Sequence, residues 1–262
     1  GLTLRSWGLP PARHLARAPA SVIIRRAGQA PSRRQPLSSN VRPHMRFRAV
    51  IFDLDDTIHN KSATLRAVAS RLFADHRLSD VGVDETSWQP EFVHLNNLRI
   101  EKTEVFARLR DRFGLTESAT QALLADFDAN LGSQAQPYPG AVECLAACKA
   151  AGLKLALITN GRDEFQRSKI AGMGATHYFD AIFTSGGFGT KKPHASIFEA
   201  CLRSLGVEAS ETAVVGDDLG CDIGPALSLG MTAVWRSSEP STQVALSTED
   251  FQAIQSFLTS AA

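Results

Sequence analysis

Five short apolar runs rich in β-branched residues punctuate this chain: RAVIFD at 48–53, KLALI at 154–158, AIFT at 181–184, TAVVG at 212–216 and MTAVW at 231–235. None shows the polar alternation of a strand with one wet face. Successive strand side chains point to opposite faces, so an unbroken apolar run reports that both faces are covered, as in a parallel sheet packed between helices. Helical patterns separate most of the runs. Residues 195–205 (ASIFEACLRSL) precede Gly206 and residues 222–229 precede Gly230, each glycine at a helix C-cap. The alternation predicts an α/β fold, a doubly wound parallel sheet.

The rhythm breaks once, between the first and second strands, where residues 54–153 intervene. A single crossover helix needs far fewer. Leu65, Val68, Ala69, Leu72 and Phe73 follow helical spacing, as do Val105, Phe106, Leu109 and Phe113, and again Leu123, Leu124, Phe127 and Leu131. Thr103 and Thr116 are expected as N-caps. Residues 62–137 therefore read as a helical module inserted into the sheet domain, with Pro137, Pro139 and Gly140 marking the return. Trp88 and Phe92 are expected in its core.

Charge divides the chain differently. The overall balance of 28 basic against 27 acidic residues conceals eight arginines and no acid in residues 1–44, which leaves the remainder at −7. An acidic body argues against nucleic acid as a partner. The basic segment has apolar residues too scattered to bury a face, so it is read as a disordered extension. A transit-type presequence, a basic arm and translation upstream of a start at Met45 all account for it, the last being preferred. No apolar stretch approaches the ~18–20 residues of a membrane helix. Cys144, Cys148, Cys201 and Cys221 show no C-x-x-C pair or zinc spacing. They are read as thiols of a reducing compartment, and the expected location is cytoplasmic, with organelle import as the alternative.

Ligands of open α/β sheets bind beyond the carboxyl ends of the strands. Strand one ends in Asp53-Leu54-Asp55-Asp56-Thr57 and strand two in Thr159-Asn160-Gly161; Lys191-Lys192-Pro193 follow strand three, and Gly216-Asp217-Asp218 end strand four, with Asp222 close behind. Grouped carboxylates repel one another unless positive charge compensates. A hard divalent cation meets that need, and Mg²⁺ suits a few carboxylates together with phosphate and water. A lysine and a threonine hydroxyl are left for the other phosphate oxygens. This is the composition of a phosphoryl-transfer site.

The pattern resembles the haloacid dehalogenase-like hydrolase superfamily over nearly all of 46–236. D-x-D-x-T occurs as Asp53, Asp55 and Thr57, followed in order by Thr159, by Lys192 in K-P-x-x-x-I-F, and by Asp217 and Asp222 in G-D-x-x-x-x-D. The resemblance implies a Rossmann-like core over 45–61 and 138–262 and a helical cap over 62–137. It implies a phosphatase in which Asp53 attacks phosphorus and passes through a phospho-aspartyl intermediate, with Asp55 as general acid and base. Mg²⁺ would be held by Asp53, the Asp55 backbone carbonyl and Asp217, with Asp222 either a further ligand or a group that orients the others. Lys192 would neutralise charge on phosphate and nucleophile, Thr159, Asn160 and Gly161 would meet the phosphoryl oxygens, and Arg99 would clamp the far end of the substrate.

The expected substrate is a small phosphometabolite of nucleotide, sugar phosphate or phosphoglycolate type. A 2-haloacid dehalogenase of the same superfamily needs no acid for a halide, so Asp55 speaks against it, whereas a phosphomutase would keep all these motifs. Asp56 and Asp218 read as structural and Lys191 as solvated. His59 and Asn60 read equally as substrate contacts or an exposed turn. His194-Ala195 depart from the family's usual Asp-Pro after the lysine. Monomer and homodimer both remain open.

Overall fold

All five apolar runs form strands within a residue of the expected limits in the computed structural model of the protein, which describes residues 46–98 and 100–261. The basic segment 1–44 and Arg99 lie outside the described residues. The strands are β1 (Ala49–Phe52), β2 (Lys154–Thr159), β3 (Ala181–Thr184), β4 (Thr212–Gly216) and β5 (Thr232–Trp235), with a short β6 (Leu246–Ser247) added at one edge. They form a six-stranded sheet in the order β3-β2-β1-β4-β5-β6, with every pairing parallel. Ile51 of β1 lies opposite Ala156 of β2 and Val214 of β4.

Four helices occupy the insert: α1 (Lys61–Asp75), α2 (Glu85–Asn97), α3 (Lys102–Phe113) and α4 (Glu117–Asn130). The later helices are α5 (Ala141–Ala150), α6 (Asp163–Gly172), the one-turn α7 (Ser185–Phe188), α8 (Ala195–Leu205), the short α9 (Gly224–Ser228) and α10 (Phe251–Thr259). Alternate strand residues divide between two apolar layers. Val50, Phe52, Leu155, Leu157, Ala213 and Val215 pack with Cys144 and Leu145 of α5 and with Ile254 and Leu258 of α10. Ala49, Ile51, Ala156, Ile158 and Val214 pack with Phe198 and Cys201 of α8 and Ala226 of α9. This two-sided burial is why the strands carry no polar alternation. No described helix is long and apolar enough to cross a membrane.

The insert has its own apolar cluster, built from the three predicted stripes with Trp88 and Phe92 fully buried among them. Trp88 Nε1 donates to the Ala69 carbonyl at 2.9 Å, tying α2 to α1. The two connections to the sheet run side by side: Asn60 N–H donates to the Gln136 carbonyl and Tyr138 N–H to the Ile58 carbonyl, both at 2.8 Å. Further contact with the sheet domain comes from α6, where the Phe165 ring lies 5.9 Å from Phe127 and the loop residue Arg162 pairs with Asp128 at 2.6 Å.

Two local expectations need correction. Thr116 caps α4 by accepting from Ala119 N–H, but Thr103 does not cap α3. That helix begins two residues earlier, at Lys102, with Glu101 in the cap position and its carbonyl taking the Val105 N–H. The stretch 222–229 is not one helix either. A π-helical turn over Leu219–Ile223 precedes α9, because the Asp218 carboxylate accepts from both Gly220 and Cys221 N–H and starts the turn early.

Candidate active site

The strand order places β1 where successive connections leave to opposite sides, the position at which open α/β sheets form a crevice at their carboxyl edge. Asp53 is the first residue past β1, and its N–H still pairs with the Val215 carbonyl at 2.9 Å, so its direction is fixed by the sheet. Lys192 Nζ donates to Asp53 Oδ1 at 2.5 Å and to Asp222 Oδ1 at 2.6 Å. Thr57 Oγ1 donates to Asp217 Oδ1 at 3.1 Å. One carboxylate oxygen from each of Asp53, Asp217 and Asp222 lies within 4.8 Å of the others. Groups separated by up to 169 positions thus meet at one rim of the sheet.

Burial pushes the Asp53 carboxyl up to about 7 against the pull of Lys192, with Asp222 adding to the rise. Burial, and then the charge of Asp53, push Asp217 up to about 6, and burial raises Asp222 as well. Lys192 opposes its own burial through Asp53 and Asp222, which hold its ammonium charged. One ammonium among three carboxylates leaves an excess of negative charge in a poorly solvated place. The donors are all hard oxygens, so the residues present fit a hard divalent cation such as Mg²⁺. Gly216 keeps the backbone clear for the Asp222 carboxylate, and Trp235 Nε1 holds the Asp217 carbonyl at 2.8 Å.

Asp55 faces a different set of partners, most of which sequence reasoning missed. Lys169 Nζ lies 2.7 Å from both its oxygens, and Gln166 Nε2 donates to Oδ2 at 3.1 Å. His59 Nδ1 shares a 2.6 Å hydrogen bond with Oδ1, while His59 Nε2 meets Thr64 Oγ1 at 2.8 Å. The ionised Asp55 carboxylate can only accept, so Nδ1 carries the proton that faces it, and Thr64 Oγ1 also accepts from Gln136 N–H. Burial alone would raise Asp55, but Lys169 and then His59 hold it well below the usual carboxylate range. His59 is therefore an internal support of the loop that follows β1. Asn60 caps α1 by accepting from Ala63 N–H.

Thr159, at the end of β2, is buried and accepts from Gln166 Nε2 at 2.5 Å. The Asn160 side chain pairs with the backbone of Lys192, accepting its N–H at 2.9 Å and donating to its carbonyl at 3.1 Å, so it positions the lysine loop. Gly161 N–H donates to Ser185 Oγ at 2.9 Å. Asp56 adopts φ 61°, with its N–H on the His59 carbonyl and its own carbonyl held by Arg236 at 3.0 Å, a strained turn that shapes the loop after Asp53. Asp218 serves the π turn and Lys191 is exposed. Asp53, Asp55, Lys61, Thr159, Lys192 and Asp217 are among the residues lining a cleft of about 370 Å³. Lys169 and Gln166 carried no local signal, because their partner Asp55 lies 114 and 111 residues away.

Residues 47–230 match the family model described as haloacid dehalogenase-like hydrolase. A glyceraldehyde 3-phosphate phosphatase of Methanocaldococcus jannaschii is 31% identical over 200 residues, covering 72% of this chain and 84% of that protein. A phosphoserine phosphatase of Thermus thermophilus is 41% identical over 98 residues, 37% of this chain and 39% of that protein. The crystal structure of a HAD phosphatase from Thermococcus onnurineus superposes with a TM-score of 0.55 at 26% identity, covering 81% of this chain and 98% of that one. With the family model spanning well over half of its length and the carboxylate rim where that fold forms its crevice, this chain belongs to the haloacid dehalogenase-like hydrolases.

Proposed function

We propose that the protein is a Mg²⁺-dependent phosphomonoesterase for small phosphometabolites, working through a phosphorylated Asp53. The observation that carries this reading is the meeting of Asp53, Asp217 and Asp222 around one point with Lys192 bridging two of them. The relatives named as phosphatases of glyceraldehyde 3-phosphate and phosphoserine support the substrate class. Asp53, Asp217 and Asp222 would hold Mg²⁺, with the Asp55 backbone carbonyl as a further oxygen. When bound, the ion supplies charge for the phosphoryl oxygens and keeps the Asp53 carboxylate ionised.

The chain's own groups divide the reaction into two displacements. An Asp53 oxygen forms a bond to phosphorus as the ester bond to the alcohol breaks, and a proton from Asp55 goes to the departing oxygen. Water then attacks phosphorus, Asp55 takes its proton, and the bond to Asp53 breaks, restoring the carboxylate and releasing inorganic phosphate. Held by Lys169 and His59, Asp55 is prepared as the base of the second step; as the acid of the first it gives up the proton it took from water in the preceding turnover, exchanging the Lys169 contact for the leaving oxygen. Lys192 faces Asp53 and stabilises negative charge there, and Thr159 stands at the adjacent strand end to meet phosphoryl oxygens. The insert over 62–137 serves as a cap over the cleft.

Phosphate release from a panel of small esters tests the reading. Turnover should require Mg²⁺, stop with EDTA, and fall by at least about 10⁴-fold in Asp53→Asn. Metal-independent turnover, or an Asp53→Asn variant that keeps its rate, would refute it.

A further inference from the structure

Beside the catalytic cleft lies a smaller cavity of about 30 Å³ between the insert and α6. Lys61, Lys102 and Lys169 line it together with the polar His59 and Thr64, and Phe127 and Phe165 are among its apolar residues. Lys61 also lines the catalytic cleft, so the two spaces adjoin. Three lysines thus line this one small volume. Lys169 is paired with Asp55 at 2.7 Å and the charge of Lys61 acts on Asp56, whereas Lys102 has no ion pair among the described residues. Among the described residues Lys102 Nζ hydrogen-bonds to uncharged oxygens of Asn96, the side-chain oxygen at 2.8 Å and the carbonyl at 3.4 Å, and lies 5.5 Å from the centre of the Phe127 ring.

Partly buried cations that outnumber the counter-charges beside them are unfavourable until an anion joins them. Burial, and then the charges of Lys61 and Lys169, push the Lys102 ammonium down to about 8, with Asp55 and Asp128 opposing the fall. A bound anion would reverse that depression.

Resting on the phosphatase reading above, we propose that Lys102 and Lys61 form an anion subsite for the far end of the substrate, so that the preferred ester is short and carries a carboxylate close to its phosphate. A space of about 30 Å³ takes the oxygens of a carboxylate or a water, not a nucleobase. An ester bearing an ammonium group would set a further cation between the lysines. An aldehyde or alcohol would gain no charge pairing. Lys102 supplies the charge from the insert and Lys61 from its first helical residue, so the subsite selects the substrate without touching the reacting phosphorus.

The test compares kcat/KM of the full chain with Mg²⁺ on 2-phosphoglycolate and on 2-hydroxyethyl phosphate, which differ in carrying a carboxylate or a hydroxymethyl group. The wild-type protein should favour the carboxylate by about 100-fold, the scale of a charge-assisted pair in a shielded site. Lys102→Met should cut this ratio at least tenfold, roughly the loss of one such bond, and Lys102→Arg should keep it within about threefold. Lys61→Met should lower the ratio in the same direction, which provides a second variant if Lys102→Met fails to fold. A wild-type ratio near one, or a Lys102→Met variant that loses both substrates alike, overturns the subsite. If p-nitrophenyl phosphate turnover meanwhile needs Mg²⁺ and Asp53, the subsite falls alone. No metal-dependent release from any of the three esters defeats the phosphatase reading and the subsite with it.

Discussion

A methyl group on Gly216 would sit 2.5 Å from Asp222 Cβ and 2.6 Å from its Oδ2, closer than carbon contacts allow. The glycine at the end of β4 is there so that the strand and the carboxylate on the following turn can share one space. Gly216→Ala should therefore displace Asp222 and raise the Mg²⁺ concentration for half-maximal phosphate release by about tenfold or more; an unchanged Mg²⁺ dependence would contradict Asp222's part in holding the ion. Lys192 tests the opposite charge. Lys192→Met leaves Asp53 and Asp222 facing each other without their cation. The variant should lose about 10³-fold in kcat/KM and be destabilised in urea by about 3–5 kcal/mol at pH 8. The stability deficit should shrink at pH 5, where the raised carboxyls take up protons. A pH-independent deficit would show that packing, not charge, is what the lysine supplies.

Among the elements, the insert depends on aromatic packing that ties successive helices together. Trp88 is fully buried, bonds to the Ala69 carbonyl, and lies 5.5 Å from Phe92 and 5.4 Å from Phe113. Trp88→Ala should lower unfolding free energy by about 3–5 kcal/mol in urea titrations, and a loss below about 1 kcal/mol would mean that the insert cluster is not cooperative with the rest. The insert's helices were legible because their stripes repeat at helical spacing, and the central strands because burial on both faces leaves unbroken apolar runs. The two-residue β6 is too short to show a pattern. The π turn before α9 was missed because it depends on Asp218 folding back on its own backbone. The clustered carboxylates, Lys192 and Thr159 were visible as motif letters at or after strand ends. Lys169, Gln166 and Arg236 were not: each is a single polar residue whose meaning comes from a partner more than a hundred residues away.

At the scale of the whole molecule, the sheet stores unfavourable charge at its carboxyl edge, and stability should report it. Asp53 and Asp217 have folded values of about 7 and about 6 against an ordinary 3.8, so between those limits the folded chain holds more protons than the unfolded one. Stability is then lost as pH rises through that window. Asp55 is shifted the other way, and its contribution is lost only as pH falls below about 4, so it does not oppose the trend. In EDTA, Tm should fall from pH 5 to pH 8, and Mg²⁺ should raise Tm more at pH 8 than at pH 5. A metal-free Tm that climbs over the same range would mean that the carboxylates are compensated by something other than a cation. Rapid acid quenching during turnover, followed by mass spectrometry of the peptide that contains Asp53, tests the nucleophile itself: the account predicts phosphate on Asp53 that appears only with Mg²⁺, and steady turnover with that peptide unmodified at every time point would contradict it.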